Sequence, residues 1–153
     1  MTQANPLPGF MATGFKSTDF TATKWDTADQ KARFANHFVR FVASGFKETL
    51  FHDWFYKRLS MTFGHIAHYN RGGFFSTFFE STQGKVDFLH QTLNPWTGFV
   101  GDPAFTYCDV ERAIATWLET SGYPSLWADR LARETEQTEL TQLARLRAKY
   151  PQA

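Results

Sequence analysis

The chain has 153 residues, which suits one globular domain that buries roughly 70% of its unfolded surface. Its formal charge of +1 is well below the basic excess of a typical nucleic-acid-binding domain, and a single cysteine, Cys108, excludes an intramolecular disulfide and a cysteine-based zinc cluster. Because residues 1–14 do not resemble a signal peptide and no apolar run reaches the ~20 residues of a spanning helix, we expect a cytoplasmic protein without a membrane partner.

An extended arm is predicted for residues 1–25, and a single helical domain for residues 26–153. The arm contains several residues that favour irregular backbone, namely Pro6, Pro8, Gly9 and Gly14. It also contains regularly spaced rings that could pin it against the domain, namely Phe10, Phe15, Phe20 and Trp25.

The first helix is predicted to begin at Thr27, because Thr27 and Gln30 have the spacing of a capping box. We expect it to run to Gly45 or a little beyond. One side is apolar and consists of Phe34, Ala35, Phe38, Val39, Phe41, Val42 and Phe46. The opposite side, a predicted basic front, consists of Arg33, His37, Arg40, Ser44 and Lys47.

A second helical pattern extends from Glu48 to Tyr69. Its apolar side contains Phe51, Phe55, Leu59, Thr62, Ile66 and Tyr69. The glycines that follow predict a turn over residues 70–73.

After this turn, phenylalanines that recur at a spacing of four residues favour a short helix over a strand. Its apolar residues are Phe74, Phe75, Phe78 and Phe79. Gly84 predicts a break, after which a further short helix is expected to close near Asn94 and Pro95.

Residues 96–105 are predicted to form a loop, and the next helix is expected to begin at a cap made by Thr106 and Asp109 and to end at Gly122. Its stripe consists of Val110, Ala113, Ile114, Trp117 and Leu118. Pro124 suits the first turn of a last, polar helix that docks at its start and projects, or fits a shallow groove, at its end. These elements predict an all-α domain of five to seven helices with an aromatic-rich core, an extended N-terminal arm and a polar C-terminal helix.

The segment from Lys31 to Arg71 interleaves rings with positive charges, since seven basic and two acidic side chains give +5. Such a face is typical of proteins that bind nucleic acid. The predicted contacts are Arg33, His37, Arg40, Lys47, Tyr56, Lys57, Arg58, Tyr69 and Arg71. The sequence therefore favours a non-enzymatic protein that binds nucleic acid or a nucleoprotein, such as a small regulator or inhibitor of the kind that mobile elements encode. The structural alternative is that these charges only solvate an amphipathic helix.

Two other functions remain open. One is an interaction module that self-associates or docks on a partner through Leu140, Leu143 and Leu146. The other is a small metal- or histidine-dependent hydrolase around His65 and His68, whose spacing of three on a predicted helix would suit one metal ion. The spacing selects no third ligand, and the chain lacks a glycine-rich phosphate loop and a nucleophile elbow, so we expect no cofactor.

Overall fold

A computed structural model describes residues 14–62, 70–94 and 101–152, without the side chains of residues 61 and 62. These residues contain six α-helices and no strand, which confirms the predicted all-α fold. The helices are α1 (Ala28–Ala43), α2 (Asp53–Thr62), α3 (Arg71–Phe79), α4 (Thr82–Leu93), α5 (Cys108–Ser121) and α6 (Tyr123–Lys149). Short 3₁₀ turns at Ser17–Asp19 and Glu48–Leu50 precede α1 and α2.

Helix α1 begins with the predicted capping box. The Thr27 side chain accepts a hydrogen bond from the Gln30 N–H at 3.1 Å, and the Gln30 side chain accepts one from the Thr27 N–H at 2.7 Å. The helix ends at Ala43, earlier than predicted, because Gly45 and Phe46 adopt positive φ angles of 82° and 64°. This reversal returns the Phe46 ring to the core.

Helix α2 begins later than predicted. The pattern that starts at Glu48 forms a 3₁₀ turn, and Phe51, with φ −90° and ψ 67°, separates that turn from the helix. The predicted apolar positions Phe51, Phe55 and Leu59 are nevertheless buried. The rest of this predicted pattern, residues 63–69, lies outside the described residues.

The predicted turn over residues 70–73 is wrong. The Asn70 side chain accepts a hydrogen bond from the Gly73 N–H at 2.6 Å and thereby caps α3, so that both glycines lie in the first helical turn. The predicted helix of paired phenylalanines is confirmed, and all four of its rings are buried.

The predicted break at Gly84 is also wrong. Ser81 caps α4 by accepting a hydrogen bond from the Gly84 N–H at 3.0 Å, and Gly84 lies in the first turn of the helix. A Cβ atom at Gly84 would lie only 2.6 Å from the Thr77 carbonyl oxygen and 2.8 Å from that of Phe78. Glycine is therefore required here for the close approach of α4 to the end of α3. Helix α4 ends at Leu93, as predicted.

The predicted cap of α5 by Thr106 and Asp109 is wrong as well. The helix begins at Cys108, and the Asp109 carboxylate instead accepts a hydrogen bond from the Lys31 ammonium group. The end of the helix is as predicted, since Gly122 has a φ of 83° and Pro124 lies in the first turn of α6.

Aromatic rings make up most of the described core, which confirms the predicted aromatic-rich core. Phe41 of α1 is fully buried at the centre of this cluster. Its ring centroid lies 4.9–5.5 Å from the rings of Phe46, Phe51, Phe55 and Phe79. Most of these pairs are edge-to-face, the geometry in which a pair adds about 0.5–1.5 kcal/mol beyond the burial of its area.

The described part of the predicted arm is attached to α1. The Asn36 amide donates to the Phe15 carbonyl oxygen at 2.9 Å and accepts from the Phe15 N–H at 2.7 Å. Phe20 is buried, and Phe15 packs against the core beside it. Trp25 is exposed, so its ring is not packed into the core as predicted. Phe10 lies outside the described residues.

Candidate interaction surfaces

The predicted basic front is formed in part by exposed residues of α1 and the turn after it. Arg33, Arg40 and Lys47 are all exposed. The Arg33 guanidinium group lies over the ring of Trp54, with 4.6 Å between its central carbon and the ring centroid. This cation–π contact holds one cation and one half-buried ring together at the junction of α1 and α2.

His37 does not belong to this exposed surface. It is 5% exposed, and its Nε2 atom lies 2.6 Å from the Leu50 carbonyl oxygen, to which the neutral ring donates. Its ring packs 4.6 Å from that of Phe55 and 4.9 Å from that of Trp54. Burial lowers the pKa of His37 below its ordinary value. His37 therefore joins α1 to the turn before α2 as a neutral group, and the prediction that it lies on the basic front is wrong.

Three other predicted contacts are basic side chains with partners inside the chain. The Lys57 ammonium group lies 3.1 Å from the Asp53 carboxylate in an exposed pair. Arg58 lies 3.2 Å from the Asp26 carboxylate and also covers the Tyr107 ring at 4.2 Å. Arg71 donates to the carbonyl oxygen of residue 51 at 3.4 Å. The positive charge of this region is therefore partly compensated within the fold.

The remaining predicted contacts are aromatic or histidine side chains. Tyr56 is half-buried and packs its ring 5.5 Å from that of Phe74. The predicted contact Tyr69 and the predicted metal ligands His65 and His68 lie outside the described residues. Across the parts of the chain that are described, no three histidine, cysteine or acidic side chains are grouped to hold a metal ion.

Lys31 was counted in the predicted basic segment but is fully buried, with 0% exposure. Its ammonium group lies 2.9 Å from the Asp109 carboxylate and donates to the carbonyl oxygens of Pro103 and Thr106 at 2.8 and 2.9 Å. It therefore ties α1 to the segment before α5. Sequence reasoning missed this role because the partners are 72–78 residues away and have no local signature.

Two buried groups beside this tie have shifted pKa values. Burial, and then the neighbouring charge of Asp109, raise the pKa of Glu111 to about 7. Burial is also the main cause that raises the pKa of Tyr107 to about 12. The Glu111 carboxyl is therefore largely neutral in mildly acidic solution.

The last helix leaves the domain partway along its length. Its first turns bury Tyr123 and Trp127, and farther along the helix the Glu134 carboxylate accepts a hydrogen bond from the Thr82 hydroxyl group of α4 at 2.8 Å. From residue 132 to residue 149, which we call the projecting half of α6, every residue is exposed. At 1.5 Å per residue these 18 residues extend about 27 Å. The prediction that this helix docks at its start is confirmed, and of the two alternatives predicted for its end, the structure shows that it projects.

The projecting half carries large apolar side chains. Leu140, Leu143 and Leu146 are 52%, 43% and 48% exposed, and Tyr150, directly after the helix, is 54% exposed. Around the helix they lie roughly opposite Trp127, whose side packs on the domain. Helix α6 therefore has a second apolar side, which none of the described helices buries.

Charge is divided along the projecting half. The acidic residues Glu134, Glu136 and Glu139 precede the leucines, and Arg147 and Lys149 follow them. Of the other two basic residues, Arg133 precedes the glutamates and Arg145 lies between Leu143 and Leu146. Negative charge therefore lies mainly toward the domain and positive charge mainly toward the end of the helix.

None of the described helices is both long and apolar enough to cross a lipid bilayer. No protein-family model, curated protein or solved structure matches this chain. The function proposed below therefore depends on two surfaces, the basic front of α1 and the projecting half of α6.

Proposed function

We propose that this protein is a non-enzymatic interaction protein that self-associates through the projecting half of α6. The observation that carries this proposal is the exposure of Leu140, Leu143 and Leu146 on a helix that has already left the domain. A cytoplasmic location accords with the single, buried thiol of Cys108.

The physical argument rests on the length and composition of this segment. Isolated helices of fewer than about 12–15 residues are marginal in water, and longer ones still depend mainly on packing of an apolar side. Apart from the contact of Glu134 with Thr82, the projecting half is exposed and is not buried against the described part of the domain. Pairing with a second copy would cover the leucines of both helices and contribute roughly 1.5–3 kcal/mol for each leucine that becomes fully buried.

Replacing Leu143 with glutamate is expected to abolish self-association. The substitution removes an apolar contact from each of two copies and places a charge in the interface, so the dimer dissociation constant should rise by more than about 100-fold. Sedimentation equilibrium over a range of protein concentrations measures this change directly. Circular dichroism compares the variant with equally dilute wild-type protein and so checks that the domain is still folded.

The matched control is Thr141→Glu. It adds the same charge two residues earlier, about 160° around the helix from Leu143, at another exposed position. Association should be nearly unchanged in this variant. A wild-type protein that stays monomeric at high concentration, or a dimer that tolerates Leu143→Glu, would contradict the proposal.

A second candidate function is binding of nucleic acid by a smaller basic face than the sequence predicted. The favouring observation is that Arg33, Arg40 and Lys47 are exposed and that Arg33 lies against Trp54. Exposed cations beside a ring suit a single-stranded nucleic acid, which offers both phosphates and base faces.

The double variant Arg33→Glu, Arg40→Glu is expected to weaken binding to labelled single-stranded DNA or RNA and to lower the slope of log affinity against log salt by about 2. Fluorescence anisotropy at several salt concentrations measures both effects. The double variant Lys16→Glu, Lys24→Glu makes an equal change of charge outside α1 and serves as the control. Equal losses in both variants would indicate a general effect of net charge and would remove this candidate.

A further inference from the structure

The apolar side of the projecting half has the residue spacing of a paired helix. Successive members lie three and four residues apart in alternation, which keeps them on one stripe of an α-helix. The stripe consists of Arg133, Glu136, Leu140, Leu143, Arg147 and Tyr150. Leu146 lies beside this stripe and widens its apolar centre.

The charges on the stripe distinguish the two possible directions of pairing. In a parallel pair each residue of the stripe meets its own copy, so Glu136 would meet Glu136 and Arg147 would meet Arg147. Both contacts are repulsive, and they would flank the leucines on either side. The parallel arrangement is therefore disfavoured by the sequence of the stripe itself.

An antiparallel pair brings opposite charges together. When Leu140 of one helix lies beside Leu143 of the second copy, the same register places Glu136 beside Arg147 of the second copy. It also places Arg133 beside the ring of Tyr150, a cation–π pair. By symmetry each contact occurs twice, so an attractive pair of Glu136 and Arg147 lies at each end of the central leucine contacts.

We propose that two copies of this protein pair antiparallel through the projecting halves of α6, in the register that sets Leu140 beside Leu143 and Glu136 beside Arg147. This inference rests on the proposed function and adds the direction and register of the contact. The ion pairs lie at the edge of a short apolar seam, so they select the arrangement while the leucines supply most of the affinity.

The test is a set of charge exchanges in the full-length protein, followed by sedimentation equilibrium. Glu136→Arg alone and Arg147→Glu alone each turn both ion pairs into like-charge contacts. Each should raise the dimer dissociation constant about tenfold or more. The double variant Glu136→Arg, Arg147→Glu restores opposite charges and should bring the constant back to within a few-fold of wild type. The control Glu119→Arg reverses an exposed charge on α5 and should have little effect.

The outcomes distinguish a failure of the proposed register from a failure of the proposed self-association. Single variants that weaken the dimer together with a double variant that recovers it support the antiparallel register. A dimer that is broken by Leu143→Glu but indifferent to the charge exchanges overturns the register and leaves the proposed function in place. A double variant as weak as the singles also overturns it. A wild-type protein that stays monomeric contradicts both the register and the proposed self-association.

Discussion

Replacing Lys31 with methionine is expected to destabilise the domain by about 3 kcal/mol or more, because the removal of one partner from a buried ion pair leaves the other uncompensated. Asp109 would lose its cation, and the carbonyl oxygens of Pro103 and Thr106 would lose their donor. Urea denaturation followed by circular dichroism measures the free energy of unfolding. The matched control is Lys57→Met, whose side chain is 70% exposed and whose partner is exposed as well, and it should change stability by no more than about 0.5–1 kcal/mol.

A double variant tests whether the loss arises from the unpaired carboxylate. Lys31→Met combined with Asp109→Leu removes both charges and should recover part of the stability lost in the single variant. Recovery will be incomplete, because Asp109 also accepts a hydrogen bond from the Thr21 N–H at 3.0 Å. If Lys31→Met were as stable as Lys57→Met, the buried tie would not hold α1 to the segment before α5.

Replacing Gly84 with alanine is expected to destabilise the domain by about 2 kcal/mol or more, as overpacked core positions do. Alanine is favoured over glycine within helices by about 1 kcal/mol, so helix propensity alone predicts the opposite sign. The steric term dominates, because the new Cβ atom would meet backbone carbonyl groups of α3 at 2.6 and 2.8 Å, and backbone atoms cannot move aside as a flexible side chain can.

Gly72→Ala is the matched control for this prediction. Gly72 also lies in the first turn of a helix, and the nearest atom to its added Cβ, the side-chain oxygen of Asn70, is 3.7 Å away, an ordinary contact distance. Gly72→Ala should therefore be neutral or slightly stabilising. Thermal and urea denaturation of both variants compare the two positions, and equal effects would show that the close approach of α4 to α3 does not restrict residue 84.

The helices could be predicted largely because local signals agree with tertiary packing. The capping box at Thr27 and the four-residue spacing of Phe74, Phe75, Phe78 and Phe79 each describe an interaction that forms within a few residues. The prediction of a helix break at Gly84 was wrong for a physical reason. Gly84 is needed for contact between two helices, and a pattern read along one segment does not show how closely its neighbour approaches.

The predicted basic front was harder to judge, because a helical projection gives the direction of a side chain but not what covers it. His37 lies on the polar side of α1, yet the turn at Leu50 and the ring of Trp54 cover it. The Asp53–Lys57 pair has the four-residue spacing of a local ion pair, so its compensation was visible in the sequence. Arg58 pairs with Asp26 across distant segments, so this compensation was not visible in the sequence.

The apolar side of α6 was found in the sequence because it depends on a few leucines within an otherwise polar segment. Its direction of pairing is also encoded locally, in the order of acidic and basic residues along one helix. The sequence left open whether the end of the helix projects or fits a shallow groove, and the structure shows that it projects.

The tie between Lys31 and Asp109 also has a consequence for the order of folding. The two residues are separated by 78 positions, and the helix that carries the first packs against the helix that carries the second. During synthesis the apolar side of α1 is complete long before α5 leaves the ribosome. Native contacts of such long sequence separation slow folding. The part of α1 that packs on α5 therefore stays uncovered until most of the protein has been made, and a chaperone would protect the chain in this interval.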